Sequence, residues 1–210
     1  MALYVPRAFR VDESAPIDAL IDEHPFATLA TPASPEPFVS HVPLLRERDA
    51  ASLTLVGHFA RANPHWENAA HATSIAVFHG PHAYVSPTWY ADPANAVPTW
   101  NYATVHVQGR LEVLSSSADA EAVLRTLVER FEGEHESAWR FSMQGRQRDA
   151  MVSSIVAFRI VAETVTAKFK LSQNRTPADR RRVIDALGTS DHPESRATSD
   201  WMRRFTSADG

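Results

Sequence analysis

Apolar residues in this chain recur mostly with a period of two, and helical stripes are few. Phe26–Thr31 reads as a strand, followed by a turn made rigid by Pro32, Pro35 and Pro37. Phe38–Leu45 then alternates, with Phe38, Ser40, Val42 and Leu44 set against Val39, His41, Pro43 and Leu45. This is the return arm of a hairpin, and Pro43, which has no N–H for a ladder, places it at an edge or a bulge. Arg46–Ser52 reads as a charged turn and Leu53–Phe59 as the next strand. The stretch Ile75–Gly109 predicts a buried strand, a tight connection at Gly80-Pro81, a second strand, a loop and a third strand. Asn101–Leu114 has the cleanest alternation, and Gly109 within it marks a bulge or a barrel corner. Ile155–Val165 is a long strand that Thr166–Leu171 continues or pairs with, and Tyr4–Phe9 reads as a short edge strand.

Helices are announced by their ends. Ser14 and Pro16 open a short one bearing Ile17, Leu20 and Ile21, which stops before His24-Pro25 because a residue preceding proline avoids the α region. Ala118–Glu132 has Ser116 or Ser117 as cap, Asp119 and Glu121 at its positive end, and a stripe through Val123, Leu127 and Phe131. A third begins at Thr176 with Pro177 at the first helical position and Asp179 completing a capping box, and ends at Gly188. Gln147–Met151 reads as one further turn. Six or more strands with hairpin-like spacing and few helices predict a mainly β fold, a β-barrel or sandwich with peripheral helices. Residues 1–188 read as one domain and 189–210 as a polar C-terminal tail, pinned at most by Trp201, Met202 and Phe205.

Composition narrows the partners. The net charge is −4, so no broad basic face is available for DNA; Arg175 and Arg180–Arg182 read as the solvated side of a helix. There is no cysteine, hence no disulfide and no thiolate metal site. No apolar run approaches the ~20 residues that span a bilayer, and the first residues lack a signal-peptide pattern, so no membrane partner and a cytoplasmic location are expected.

Candidate chemistry concentrates around the third strand. Trp89, Tyr90, Trp100 and Tyr102, with His79, His82 and Asn101, sit beside turn-forming residues, where large rings are costly unless covered. They predict one wall of a pocket for a flat ligand. GHFARANPHW, Gly57–Trp66, has two readings. Asn63-Pro64 starts a helix whose N–H groups, with Arg61, could seat a phosphate; from local pattern alone a plain strand-to-helix turn is favoured. Lys168, Lys170, Gln173, Asn174 and Arg175 are either an ordinary polar strand end or donors for an anion or a ring edge. The histidines show no metal-ligand spacing, and no nucleophile elbow, dinucleotide motif, P-loop or helix-turn-helix is present.

Several stretches go beyond pattern: YVPRAF at Tyr4, HPFATL at His24, SHVPLL at Ser40, GHFARANPHW at Gly57, FHGPHAYVSPTWY at Phe78, VPTWNYATVHVQG at Val97 and KFKLSQNR at Lys168. Together, from about Tyr4 to Leu187, they closely resemble the PaiB family of FMN-binding negative transcriptional regulators. The resemblance implies an FMN-binding split barrel acting as a homodimer, with flavin in the cleft between subunits. It places Arg61 and Asn63 on the FMN phosphate, helped by backbone N–H groups from Ala60, Arg61, Ala62 and Asn63. Ser40, His41 and Val42 would run beside the isoalloxazine, Trp100, Asn101 and Thr104 would approach it from the partner subunit, and Lys168 and Gln173 would add donors. Oxidases of this fold use Arg or Lys at more than one phosphate position; here Asn63 stands where a cation is expected. The implied role is a negative transcriptional regulator with DNA or a regulatory protein as partner. The alternatives are a flavin-dependent reductase or oxidase, with His82, Tyr84 and Trp100 on the substrate side, and a haem-binding split barrel with a histidine axial ligand. The resemblance implies no catalytic residue and no metal.

Overall fold

The computed structural model describes residues 3–49, 52–70, 72–133 and 139–206. Its strands are β1 (Arg10–Val11), β2 (Phe26–Thr31), β3 (Phe38–Pro43), β4 (Leu45–Arg48), β5 (Leu53–Ala60), β6 (Thr73–Val85), β7 (Thr99–Leu114) and β8 (Ile155–Lys170). Its helices are α1 (Ser14–Glu23), α2 (His65–Ala69), α3 (Ser117–Glu132), α4 (Gly145–Ser153), α5 (Pro177–Gly188) and α6 (Pro193–Thr206). The sheet runs in the order β3-β2-β6-β7-β8-β5-β4, with β1 also pairing β8. The β2–β3 hairpin forms in antiparallel register, Phe26 opposite Pro43 and Thr31 opposite Phe38, and Pro43 does lie on an edge strand.

Three expectations are corrected. The charged segment after Leu45 is not a turn through Arg48; β4 pairs β5 from Leu45–Val56 to Arg48–Leu53. Tyr4–Phe9 is not a strand: a single 3-10 turn spans Arg7–Phe9, and pairing begins at Arg10 opposite Lys168. Gly80-Pro81 is not a connection, because β6 runs through it. The ladder explains why: β2 pairs β6 at Ile75, Ala76 and Val77, so Pro81 lies beyond the paired positions and costs no hydrogen bond on that side. Gly80 is needed for room, since a Cβ there would sit 3.0 Å from Leu20 Cδ1 and 3.2 Å from the Ala103 carbonyl.

The chain groups into two compact units. One comprises residues 1–24, 78–106 and 166–210 and the other residues 25–77 and 107–165, so β6, β7 and β8 each run through both. In the second unit Phe59 stacks on Phe158 with centroids 4.5 Å apart, amid buried Leu29, Leu44, Leu55 and Ile160. The stripe of α3 packs Ala120, Val123 and Leu127 on Val152, Ile155 and Ala157. Gly109 meets its neighbour more closely than any side chain would allow: a Cβ there would fall 2.0 Å from the Val161 carbonyl oxygen.

In the first unit the expected polar tail is a helix. Trp201 and Met202 are buried, and so are Thr198 and Ser199, whose hydroxyls are bonded to the Glu194 and Ile184 carbonyls at 2.7 Å each. Gly188 ends α5 where a Cβ would come within 3.2 Å of Ser199 Oγ. Phe169 meets Trp201 and Phe205 edge-on at 5.4 and 5.7 Å, and Arg204 pairs with Glu23 at 2.8 Å. Residues 207–210, part of that expected tail, lie outside the described residues. Among the described residues no helix is long and apolar enough to cross a membrane.

Candidate functional site

The second unit holds Ser40, His41, Val42 and Ala60–Asn63. Ser40 points inward from β3 and its Oγ lies 2.8 Å from Nδ1 of His65 on α2. Nε2 of the same ring lies 2.9 Å from Thr31 Oγ1, which is 2.6 Å from Ser74 Oγ. His65 is fully buried between Phe59 and Phe38, with centroids at 4.9 and 5.6 Å. Burial pushes its pKa down, so the ring is neutral. A neutral imidazole donates at one nitrogen and accepts at the other, so Ser40 and Thr31 must play opposite roles.

α2 begins one residue later than the sequence predicts, with Pro64 as its N-cap, and Asn63 supports that start from its side chain: Oδ1 accepts the His65 N–H at 3.0 Å while Nδ2 donates to Ser40 Oγ at 3.0 Å. Both ends of the amide are thereby engaged. Arg61 bridges the end of α4 and the start of β8, donating Nε to the Ser153 carbonyl and Nη2 to the Ile155 carbonyl at 2.6 Å each. Its own N–H donates to the Ser154 carbonyl at 2.8 Å, and the Asn63 N–H donates to the Ala60 carbonyl at 2.9 Å. Two of the backbone N–H groups expected at a phosphate are therefore spent within the fold. Ala60 and Ala62 are exposed, Val42 is buried, and His41 is exposed and stacked on Phe26 at 6.3 Å.

The first unit holds Trp100, Asn101, Thr104, Lys168 and Gln173. Trp100 is 53% exposed and Tyr84 47%, their rings 6.2 Å apart edge to face, with His82 6.2 Å from Trp100. Of these rings His82 and Trp100 line an open groove of about 390 Å³, together with His79, Tyr102, Thr104 and His106; Tyr84 does not line it but packs edge-on against Trp100. Burial, with His79 nearby, pushes the His106 pKa down. Thr104 donates to the Phe78 carbonyl at 2.9 Å. Asn101 is buried in a reciprocal pair with the Ser172 hydroxyl, at 2.9 and 3.2 Å. Lys168 donates to the Tyr4 carbonyl at 3.1 Å and lies 5.4 Å from the rings of Tyr4 and Tyr102. Gln173 closes its own turn, accepting from Leu171 N–H at 2.7 Å and donating to the Phe169 carbonyl at 2.6 Å. Trp89 and Tyr90 do not line the groove; Tyr90 is buried, with the Arg175 guanidinium 4.6 Å from its ring centre.

The residues that sequence reasoning missed are His65, Thr31 and Ser74. Their signal lay in phase: Thr31 occupies the buried positions of β2 with Ala27 and Leu29, and Ser74 those of β6 with Ala76 and Phe78. A small hydroxyl on the apolar phase of a strand asks for a buried partner. Among the described residues no group of three or more His, Asp or Glu is placed to hold a metal ion.

The fold defines the class. The chain superposes on the FAD and heme binding protein of Mycobacterium smegmatis with a TM-score of 0.60, covering 77% of this chain and 73% of that one at 18% identity. It superposes on the flavocytochrome Anf3 of Azotobacter vinelandii with a TM-score of 0.62, covering 79% and 72% at 18% identity. The architecture is the flavin-binding split barrel. Residues 3–164 match the family described as "Putative FMN-binding domain". The chain is 31% identical over 202 residues to the Protease synthase and sporulation protein PAI 2 of Bacillus subtilis, covering 95% of this chain and 96% of that protein. An uncharacterized protein of Emericella nidulans is 29% identical over 187 residues, 73% of this chain and 74% of its own. The chain belongs to the PaiB family of FMN-binding split-barrel proteins, and its cofactor is FMN.

Proposed function

We propose that this chain is a homodimeric negative transcriptional regulator of the PaiB type that senses its state through bound FMN. The observation that carries the reading is the one-sided aromatic groove. Trp100 and Tyr84, about half exposed beside His82, leave flat apolar area in water. Rings so placed fit an isoalloxazine, which gains by stacking and by burying that area. An open groove needs a second surface over it, which a second copy of the chain supplies. In this reading Trp100 and Thr104, which line the groove, are cofactor contacts. Lys168, His41 and Arg61 do not line it and are carried over from the family resemblance alone, which implies Arg61 on the phosphate. Ser40, Asn63, Asn101 and Gln173, whose side chains are hydrogen-bonded within the fold, act in this reading by fixing local backbone. Val42, Ala60 and Ala62 are carried over from the family resemblance alone. When bound, FMN supplies a flat, redox-active ring whose oxidised and reduced forms differ in shape and charge.

The regulatory role is the one the PaiB family resemblance implies, and the likeness to the Bacillus subtilis protein extends over 96% of that protein's length. The net charge of −4 favours action through a partner protein or a ligand-dependent change over a broad DNA-binding face. The test is a visible spectrum after FMN is added and the excess removed, with mass measured by light scattering. Retained flavin absorbance on a dimer, lost in Trp100→Ala, is the expected result; a colourless monomer refutes it. The same scan separates the haem reading, for which His79, His82 and His106 in the groove speak, because haem gives a Soret band. Bleaching by NAD(P)H would instead support a reductase.

A further inference from the structure

A second cavity in the first unit, about 220 Å³, differs from the groove in being lined by Lys170 and Arg175, and no carboxylate lines it. It lies among the end of β8, the start of β7 and the loop between β6 and β7, and Lys170, Arg175, Thr99, Tyr90 and Ser172 line it. We propose that this cavity is a binding site for a phosphate dianion, free or carried on a small organic molecule, separate from the FMN contacts.

Among the described residues neither Lys170 nor Arg175 forms an ion pair with a carboxylate, although Asp179 lies near enough to Arg175 for its own pKa to be lowered by it. Lys170 gives two of its three ammonium protons to neutral acceptors, the Thr99 hydroxyl and the Trp100 carbonyl, the latter at 2.7 Å. Arg175 lies over a ring, with its guanidinium carbon 4.6 Å from the Tyr90 centroid. Burial first, and then the nearby cations Lys168 and Arg175, push the Lys170 pKa down, and an anion bound here would oppose both effects. The carboxylate that faces this cluster, Asp179, is held elsewhere: it accepts the Ala91 N–H at 2.8 Å and the Thr176 hydroxyl at 3.1 Å and does not line the cavity.

An independent observation also points to a ligand. Tyr90 is 5% exposed, lines the cavity, and its hydroxyl is buried without a hydrogen-bond partner. A buried phenol left unpaired is costly, and such groups ask for a partner the protein itself does not supply. A phosphate oxygen accepts what Tyr90, Lys170 and Arg175 donate. Ser172 adds strain of the kind that gathers at sites, with a φ of +67° in a residue that has a Cβ. The volume selects size: pockets for drug-sized ligands run to roughly 300–1,000 Å³, so this one suits a phosphate with a small remainder rather than a flavin nucleotide.

The experiment is calorimetric titration of the purified full chain with inorganic phosphate and, separately, glycerol phosphate, in chloride at matched ionic strength, with and without prior saturation by FMN. Expected are saturable one-site binding unchanged by FMN, and loss of at least about tenfold in affinity in Lys170→Met and in Arg175→Gln, both still taking up FMN. Tighter binding of the ester would assign the physiological source to a metabolite, and equal binding to phosphate alone; both outcomes support the site. Tyr90→Phe guards against misfolding. It should unfold at the same or a higher temperature than the parent, since it loses an unpaired hydroxyl, yet bind phosphate several-fold more weakly. No saturable binding, full retention in the variants, or displacement by FMN would overturn the proposal; the last would assign the cavity to the flavin's own phosphate.

Discussion

Replacing His65 by Ala tests whether the buried hydroxyl chain is structural. The ring is fully buried, lies between Phe59 and Phe38, and bonds Ser40 and Thr31 through its two nitrogens. Truncating a buried aromatic ring typically costs about 3–5 kcal/mol through lost burial and the cavity left behind. Each lost hydrogen bond adds about 1 kcal/mol, but neither hydroxyl is orphaned: Ser40 keeps Asn63 Nδ2 and Thr31 keeps Ser74. The cost should therefore be about 5–7 kcal/mol, a large share of a typical domain's stability. Equilibrium urea unfolding followed by tryptophan fluorescence measures it. His41→Ala is the control: the same chemistry on an exposed face against Phe26 should cost about 0.5 kcal/mol or less. A loss under about 1.5 kcal/mol for His65→Ala, or equal losses for the two variants, would refute the structural account.

Other outcomes follow from the same packing. Arg61→Ala should lose about 1–3 kcal/mol, because two carbonyls lose a charged donor, and should also weaken FMN retention; unchanged urea midpoints would contradict the first effect and unchanged flavin uptake the second. Gly109→Ala should cost at least about 3 kcal/mol, since the new methyl would have to displace the Val161 carbonyl; near-wild-type stability would show that β7 and β8 are farther apart. His24, His58, His65 and His106 all have pKa values pushed down by burial. The folded state then resists protons that the unfolded chain accepts near 6.5. Stability is complete above that pH and falls below it, by at most about 1.4 kcal/mol per pH unit for each histidine; a flat urea midpoint from pH 7.5 to 5.5 would exclude this.

Much of the fold was legible because its signals are local. Ser116 and Thr176 cap α3 and α5 through the Asp119 and Asp179 N–H groups, and the proline-bounded β2–β3 arms pair as their alternation requires. What could not be read depends on neighbours distant in sequence. Gly80-Pro81 looks like a turn until one sees that β2 ends before it, and β4 looks like a turn until β5 pairs with it. The C-terminal helix hid because half of its buried stripe is hydroxylic, Thr198 and Ser199 beside Trp201 and Met202. At the site the ring cluster was visible as composition, but its division into an open groove and a buried Tyr90 was not. By local pattern the Asn63 segment reads as a plain turn and Gln173 evenly as part of a polar strand end or as a donor, and the side chains of both are engaged in local bonds.

The way the chain is divided between its units bears on how the protein is made. One unit draws on residues 25–77 and 107–165, while the other needs residues 1–24, 78–106 and 166–210. A ribosome therefore finishes the parts of the former well before it has released the latter's last segment. Both the aromatic groove and the cationic cavity belong to the late unit, and the cavity waits for Lys170 and Arg175. Nascent chains arrested short of residue 166 carry the residues of the hydroxyl chain around His65 but cannot hold an intact groove unit, so ligand capture waits until the segment that begins at residue 166 has been made.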